Sequence, residues 1–158
     1  MLNGVPKSVC LKYILENEDE FKSKSILDFG AGKLALQTRY LADNGFEDVT
    51  AYDFGSNLND GIHDPDALSK RYDVIMVSNV LNVSSSEDML RETLEDIRKA
   101  CKPGTVIVCN YPGSPRKWDI DGKPAPSREV KNLIAEILGA EPELVAGTDS
   151  VPVWRIKV

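Results

Sequence analysis

Short apolar runs alternate along the chain with amphipathic stretches. Each run is four to six residues long and nearly continuous in apolar character, which is typical of strands buried on both faces of a parallel sheet. We predict such strands at Ser25 to Asp28, Val49 to Asp53, Asp73 to Ser78 and Thr105 to Cys109.

The stretches between these strands carry apolar residues at spacings of three and four, which predicts helices with one buried face. The predicted helices, with their inward residues, are Ser8 to Phe21 (Val9, Cys10, Tyr13, Ile14), about Leu34 to Asn44 (Leu34, Leu41, Ala42), Glu87 to Cys101 (Leu90, Leu94, Ile97, Cys101) and a last helix from Ser127 (Val130, Leu133, Ile134, Ile137, Leu138). Serines 84–86 and Ser127 are predicted to cap helices, and Gly45, Pro103-Gly104 and Gly139 to end them.

Two further segments decide the topology. The polar stretch Gly55 to Arg71 is short for a full strand-and-helix unit, so we expect a reduced third strand or none. Glu143 to Gly147 and Val151 to Val158 read as adjacent strands of a hairpin. The alternation predicts an α/β fold: a Rossmann-like, doubly wound, three-layer αβα sandwich with a mostly parallel sheet and a C-terminal antiparallel hairpin. We expect one domain over residues 1–158, in which the N-terminal helix of residues 1–21 packs on the core.

Composition narrows the function classes. The chain has 158 residues, of which 42% are hydrophobic and 28% charged, and no apolar run reaches the roughly 18–20 residues of a membrane span. The N-terminus lacks the basic and apolar pattern of a signal peptide, so we expect a cytoplasmic protein. The net charge of −6 disfavours an extended nucleic-acid surface. Cys10, Cys101 and Cys109 are scattered, which predicts core thiols rather than a metal site or a disulfide framework.

The candidate chemistry lies at the ends of the first two predicted strands. Asp28 to Lys33 forms a glycine turn directly after the first strand, and Asp53 ends the second strand 21 residues beyond Gly32. A glycine turn lets the backbone approach a nucleoside, and a strand-end carboxylate about 20 residues later can accept hydrogen bonds from two ribose hydroxyls. The spacing therefore predicts a nucleoside-containing ligand.

Four motifs in sequence order extend this prediction: Asp28 to Gly32, Tyr52-Asp53, Tyr72 to Ile75 and Cys101 to Gly104. Together with the terminal hairpin, they resemble the successive motifs of class I S-adenosylmethionine-dependent methyltransferases over Lys22 to Val158. The resemblance implies a minimal, single-domain transferase whose methyl donor is S-adenosyl-L-methionine.

The resemblance also implies a role for each matching residue. Asp28 would fix the glycine turn and lie near the amino group of the donor, while Gly30 and Gly32 would let the backbone reach its methionine portion. Asp53 would bind both ribose hydroxyls. The remaining implied contacts are Phe54 packed on the adenine, Asp64 at the adenine amino group and Asn79 near the sulfonium. Asp64 precedes a proline, so a simple turn-starting role is an equal alternative.

Some features depart from the family pattern or leave alternatives. Leu34 stands where a third glycine is frequent, and the lone His63 is read as incidental surface rather than as a catalytic base. A catalytically silent S-adenosylmethionine-binding partner subunit or sensor is therefore the main alternative. An NAD-type oxidoreductase is disfavoured by the missing last glycine.

The acceptor is not readable from the sequence. Ser78 to Leu81 lacks the prolines of the tetrad that amine-methylating enzymes use on bases, and we expect no target-recognition domain. A small molecule, or a macromolecule presented by a protein partner, fits better. The loop Asn110 to Pro126 is the candidate substrate lid, in which Tyr111 and Trp118 either form an aromatic wall or hold the loop in place.

Overall fold

A computed structural model describes residues 5–158 and shows a six-stranded sheet between two layers of helices. The strands are β1 (Ile26–Phe29), β2 (Val49–Tyr52), β3 (Tyr72–Val77), β4 (Cys101–Asn110), β5 (Glu143–Gly147) and β6 (Pro152–Lys157). The helices are α1 (Val9–Glu16), α2 (Glu18–Phe21), α3 (Leu36–Asp43), α4 (Glu87–Lys99) and α5 (Ser127–Leu138).

The spatial order of the strands is β2-β1-β3-β4-β6-β5. β1 pairs in parallel with β2 and β3, and β3 pairs in parallel with β4. The C-terminal hairpin joins antiparallel, with β6 against β4 and β5 outside it. This confirms the predicted mostly parallel sheet and its antiparallel C-terminal hairpin, and it brings the carboxyl ends of β1, β2, β3 and β4 to one edge.

The core divides between the two faces of the sheet, as a three-layer sandwich requires. On one face, α4 and α5 bury the predicted residues Leu90, Leu94, Ile97, Val130, Leu133, Ile134 and Leu138. On the other face, the N-terminal helices and α3 bury Cys10, Leu11, Ile14, Phe21 and Leu41. β3 lies between them and is almost wholly buried, as its continuous apolar run predicts.

The N-terminal helix is shorter than predicted. The chain leaves helical geometry at Asn17, whose side chain donates to the Tyr13 carbonyl oxygen at 2.8 Å, and a second short helix follows. Asparagine competes in this way with backbone hydrogen bonds and favours helix ends. The inward stripe also differs, because Val9 is exposed and Leu11 is buried. Cys10, Leu11, Ile14 and Phe21 pack in the core, while residues 1–4 lie outside the described part of the chain.

The helix after the glycine turn starts two residues later than predicted. Ala35 adopts a left-handed φ of 47° and serves as the N-cap, so that the first helical residue is Leu36. Leu34 is consequently 53% exposed, and Ala42 is exposed as well, so both were wrongly assigned to the buried face. Only Leu41 of the three predicted inward residues is in the core.

Two other boundaries differ from the prediction. α4 ends at Lys99 and β4 begins at Cys101, because Cys101 pairs with Tyr72 before a register shift. Pro103-Gly104 therefore lies within the irregular start of β4 rather than ending the helix. Ser127 does not cap α5: the N-cap is Pro126, and the Ser127 hydroxyl donates to the Asp149 carbonyl oxygen at 2.6 Å.

The expectation of a reduced third strand is confirmed within residues 5–158. Gly55–Asn57 and Ala67–Ser69 form single 3-10 turns, and β2 is the edge of the sheet. No helix in the described range has the length and apolar character needed to cross a bilayer.

Candidate functional site

The glycine turn after β1 is anchored on β2 and packed against the loop after β3. The backbone N–H groups of Gly30 and Ala31 both donate to the Tyr52 carbonyl oxygen, at 2.8 and 2.9 Å. Gly30 has a φ of 72°, and a Cβ there would lie 2.5 Å from Cγ2 of Val80. Only glycine fits this position without displacing its neighbour.

Gly32 meets a different environment. Its φ is 84°, and a Cβ there would find no atom within 4 Å, so open space lies over the turn. Its N–H donates to Oδ2 of Asp53 at 2.7 Å, while Oδ1 of Asp53 accepts from the Phe54 N–H at 2.8 Å. Each carboxylate oxygen has a second lone-pair direction, so Asp53 keeps acceptor capacity for a ligand. The turn backbone and the strand-end carboxylate thus lie side by side, as their spacing predicts.

Asp28 lies beneath the turn rather than along it. Its carboxyl is fully buried and accepts a hydrogen bond from the Thr38 hydroxyl at 2.7 Å, while its Oδ1 has no hydrogen-bond partner among residues 5–158. Burial raises the pKa of this carboxyl to about 6, against the hydrogen bond from Thr38, which lowers it. The side-chain hydrogen bonds to the turn are made by Asp53 and His63, which corrects the turn-fixing role expected for Asp28.

Phe54 presents an aromatic face beside this turn. It is 44% exposed, and its ring centroid lies 6.4 Å from that of Phe29 and 6.3 Å from that of Tyr52. Such tilted ring pairs hold the side chain in place while leaving part of the ring open to a flat ligand.

The side chain of Asp64 is engaged locally. Its Oδ2 accepts from Nζ of Lys70 at 2.8 Å, and its Oδ1 accepts from the Asp66 N–H at 2.9 Å. The hydrogen bond from Lys70 is the main reason that the pKa of this carboxyl is lowered. This geometry is that of the turn-starting alternative, and contact with an adenine amino group stays a prediction.

Asn79 follows β3 at the same edge of the sheet. It has a left-handed φ of 57°, and its backbone N–H donates to Oδ1 of Asn110 at 2.8 Å. The Asn110 amide in turn donates to Oδ1 of Asn79 at 2.8 Å. This reciprocal pair ties the ends of β3 and β4 together, and Asn79 itself is exposed.

The structure places His63 in the interior rather than on the surface as predicted. It is only 3% exposed, with Nε2 2.7 Å from the Gly32 carbonyl oxygen and Nδ1 accepting from the Asn59 N–H at 3.0 Å. The expectation of an incidental surface histidine is therefore wrong. No local pattern marks this role, because its partner Gly32 lies 31 residues away in sequence.

The loop after β4 is held down by hydrogen bonds at several points. The Tyr111 hydroxyl donates to the Ala125 carbonyl oxygen at 2.6 Å and is buried, so Tyr111 holds the loop rather than forming an open wall. The N–H of Arg116 donates to the Asn82 carbonyl oxygen, and that of Asp119 to the Ser85 carbonyl oxygen, both at 2.8 Å. These bonds place residues 111–126 over the segment between β3 and α4.

The three thiols are unsuited to nucleophilic chemistry. All are free and buried, and burial raises the pKa of Cys101 to about 11 and that of Cys109 to about 12. Burial also raises the pKa of Cys10. Within residues 5–158, no group of three or more histidine, cysteine or acidic side chains is arranged to hold a metal ion.

Comparison with known proteins identifies the family of the chain. A family model described as a methyltransferase domain matches residues 6–137, which is most of the chain. The chain belongs to this family of methyltransferase domains, and with it to the class I S-adenosylmethionine-dependent methyltransferases. A search of curated protein sequences found no significant match.

Solved structures show the same fold at low identity. A TehB-like S-adenosylmethionine-dependent methyltransferase from Corynebacterium glutamicum has a TM-score of 0.67 at 18% identity, covering 99% of this chain and 91% of its own. A methyltransferase from Bacteroides fragilis, solved with S-adenosylhomocysteine, has a TM-score of 0.64 at 16% identity, covering 96% and 78%. The N-methyltransferase NodS from Bradyrhizobium japonicum, also solved with S-adenosylhomocysteine, has a TM-score of 0.57 at 16% identity, covering 93% and 84%.

Proposed function

We propose that this methyltransferase binds S-adenosyl-L-methionine at the edge formed by the glycine turn, Asp53, Phe54 and Asn79. In this proposal the donor is used to methylate a small molecule or a macromolecule presented by a partner protein. The observation that carries the proposal is the contact between Gly32 and Asp53, at 2.7 Å, beneath open space. It joins a backbone turn with open space over Gly32 to a carboxylate with spare acceptor capacity, which is the arrangement that a nucleoside needs.

The residues at this edge would each contribute binding or orientation. Asp53 would accept the ribose hydroxyls, and the half-exposed ring of Phe54 would pack on the adenine. The orphaned Oδ1 of Asp28 fits a cationic group, because a buried carboxylate without a partner is costly unless a positive charge approaches it. Asn79, held by Asn110, would line the side from which an acceptor enters.

Methyl transfer places modest demands on protein side chains. The sulfonium supplies an activated methyl group when bound, so the main task of the chain is to align donor and acceptor, which can contribute up to about 7–11 kcal/mol in well-oriented reactions. Both ring nitrogens of His63 are engaged and the thiols are buried, so neither the histidine nor the cysteines are available as a base or a nucleophile. This agrees with a role of the chain in alignment rather than in activation. The acceptor would enter beneath the loop of residues 111–126.

The first experiment tests the donor site through Asp53→Ala. We expect this variant to bind S-adenosylhomocysteine at least tenfold more weakly, about 1.4 kcal/mol, because it loses charge-assisted hydrogen bonds. Isothermal calorimetry measures the affinity, with NAD as a ligand that the wild type should not bind. Asp19→Asn, which removes an exposed carboxyl from α2, is the control for loss of charge. An affinity unchanged by Asp53→Ala would remove Asp53 from the site.

The second measurement identifies the acceptor class. Transfer of a labelled methyl group into a cell extract, separated into small-molecule, nucleic-acid and protein fractions, would show which fraction carries the acceptor. Label in the small-molecule or protein fraction is expected. Label in nucleic acid would contradict the inference from net charge, and no label in any fraction would favour a catalytically silent binding protein.

A further inference from the structure

His63 occupies an unusual position for the only histidine of the chain. It lies in the segment between β2 and β3 that replaces a third strand, and its ring reaches back to the glycine turn after β1. The same segment docks on the sheet at two neighbouring points. Ile62 packs against a small cluster of Ala31, Ala35 and Ala51, and the Asp64 N–H donates to the Ala51 carbonyl oxygen at 2.9 Å.

The two hydrogen bonds of the ring define the tautomer of the neutral imidazole. A backbone N–H can only donate, so Nδ1 of His63 must carry a lone pair where it meets Asn59. The neutral ring then bears its proton on Nε2, which donates to the Gly32 carbonyl oxygen at 2.7 Å. The histidine therefore bridges two backbone segments and has no nitrogen left for acid–base work.

Gly32 is held at both of its backbone polar groups by side chains. Asp53 accepts its N–H at 2.7 Å, and His63 donates to its carbonyl oxygen at the same distance. Gly32 itself is in a left-handed conformation with nothing packed over it, so no side-chain contact above the turn holds it there. Fixing a residue in a single backbone conformation costs conformational entropy, and a flexible turn would take that cost out of the free energy of ligand binding.

We propose that His63 is a positioning residue for the methyl donor, which holds the Gly32 turn in the conformation that binds it. This inference rests on the proposed donor site, because the turn matters only if the ligand lies over it. His63 does not touch the donor in this role. Its ring connects residues 59–64, which pack on the sheet, to the Gly32 turn. This connection lies beside β2, the edge strand of the sheet.

Two substitutions at position 63 each keep one of the two hydrogen bonds of the ring and remove the other. Glutamine at position 63 can place an amide nitrogen near the position of ring Nε2 and keep a donor for Gly32, while it loses the acceptor for Asn59. Asparagine can place its oxygen near ring Nδ1 and keep the acceptor for Asn59, while it loses the donor for Gly32. If His63 only filled space in the core, the affinity for the ligand would not depend on which of the two hydrogen bonds is kept.

The test measures binding and turn dynamics separately. For S-adenosylhomocysteine affinity by calorimetry, we expect His63→Asn to lose at least tenfold and His63→Gln to stay within about threefold of the wild type. For amide hydrogen exchange without ligand, we expect the peptide covering residues 30–35 to exchange faster in His63→Asn than in His63→Gln. Thermal melting of both variants shows how much of each change is general destabilisation.

The possible outcomes discriminate between the two proposals. Equal loss of affinity in both variants, in proportion to their loss of stability, would overturn the positioning role, as would an unchanged affinity in His63→Asn. A third outcome is faster exchange of the turn in His63→Asn together with no binding of S-adenosylhomocysteine by the wild type. This result would confirm that His63 holds the Gly32 turn, but it would refute the donor site and with it the functional role of His63.

Discussion

Asp28 is a fully buried carboxyl beside the proposed donor site. Desolvation raises the pKa of its carboxyl to about 6, so the ionised form costs more in the folded chain than in the unfolded chain, whereas a cationic ligand would stabilise the ionised form. In the proposed donor site, the same side chain would thus oppose stability and support binding. Conflicts of this kind are common at functional sites.

This conflict predicts the pH dependence of stability. Asp28 binds its proton more tightly in the folded chain, so its contribution is fully present below the ordinary aspartate pKa and is lost as pH rises through about 6. Asp28→Asn should therefore become more stable than the wild type as pH rises from 4 to 6, reaching a difference of about 3 kcal/mol above that range. Urea unfolding across this range measures it, and a difference that does not grow with pH would contradict the prediction.

At the scale of single elements, helix caps show what local sequence can and cannot specify. Three consecutive serines precede α4, and any of them suits an N-cap by residue type. The structure selects Ser86, whose hydroxyl accepts from the Met89 N–H at 3.1 Å, and the helix starts at Glu87. Ser85 instead directs its hydroxyl toward the Met89 sulfur at 3.7 Å.

The neighbouring serines form a matched pair for a stability measurement. Ser86→Ala should lower the free energy of unfolding by about 1 kcal/mol, because it removes a partner from an otherwise unsatisfied helix N–H. Ser85→Ala should change it by less than about 0.5 kcal/mol. Chemical denaturation of both variants measures the effect, and equal losses would place the cap elsewhere in the serine run.

At the scale of the whole molecule, Arg155 joins the two ends of the chain. From β6 its guanidinium donates to both carboxylate oxygens of Glu20 and, at 3.1 Å, to the Tyr13 hydroxyl. It also lies 5.8 Å from the ring centroid of Phe21. The C-terminal hairpin and the N-terminal helices are thereby tied together across 135 residues of sequence.

Breaking this connection should affect global stability in a pH-dependent way. The hydrogen bond from Arg155 is the main reason that the pKa of Glu20 is lowered, so its contribution is present above the ordinary glutamate pKa and is lost as pH falls through the lowered value. Arg155→Met should lower the free energy of unfolding at pH 7 by about 1 kcal/mol, since both side chains are partly exposed. The deficit should shrink in acid.

The control for this variant is Glu136→Gln, which breaks a more exposed ion pair between α4 and α5. Thermal unfolding at pH 7 should show little change for the control and a clear loss for Arg155→Met. A deficit that persists unchanged below pH 4 would assign the role of Arg155 to packing on Phe21 rather than to its charge.

Much of the fold was readable because it rests on periodicity. The strands, α4, α5 and the hairpin follow from apolar spacing, which reflects which faces must be buried. The reduced third strand follows from the shortness of the polar stretch between β2 and β3. The predicted helix boundaries were wrong where a single residue adopts a special backbone conformation. Left-handed Ala35 delays α3, and Asn17 divides the N-terminal helix, because side-chain and tertiary contacts override the local pattern there.

The candidate site divides in the same way. Glycines after a strand and a carboxylate 21 residues later determine, from sequence alone, that a turn and an acceptor meet at one edge of a parallel sheet, because parallel strands end together. Only the tertiary structure decided that Asp53 rather than Asp28 holds the turn, that Asp64 is engaged by Lys70, and that the lone histidine is buried beneath Gly32. Those contacts depend on distance in space between residues far apart in sequence, which no local pattern of side chains encodes.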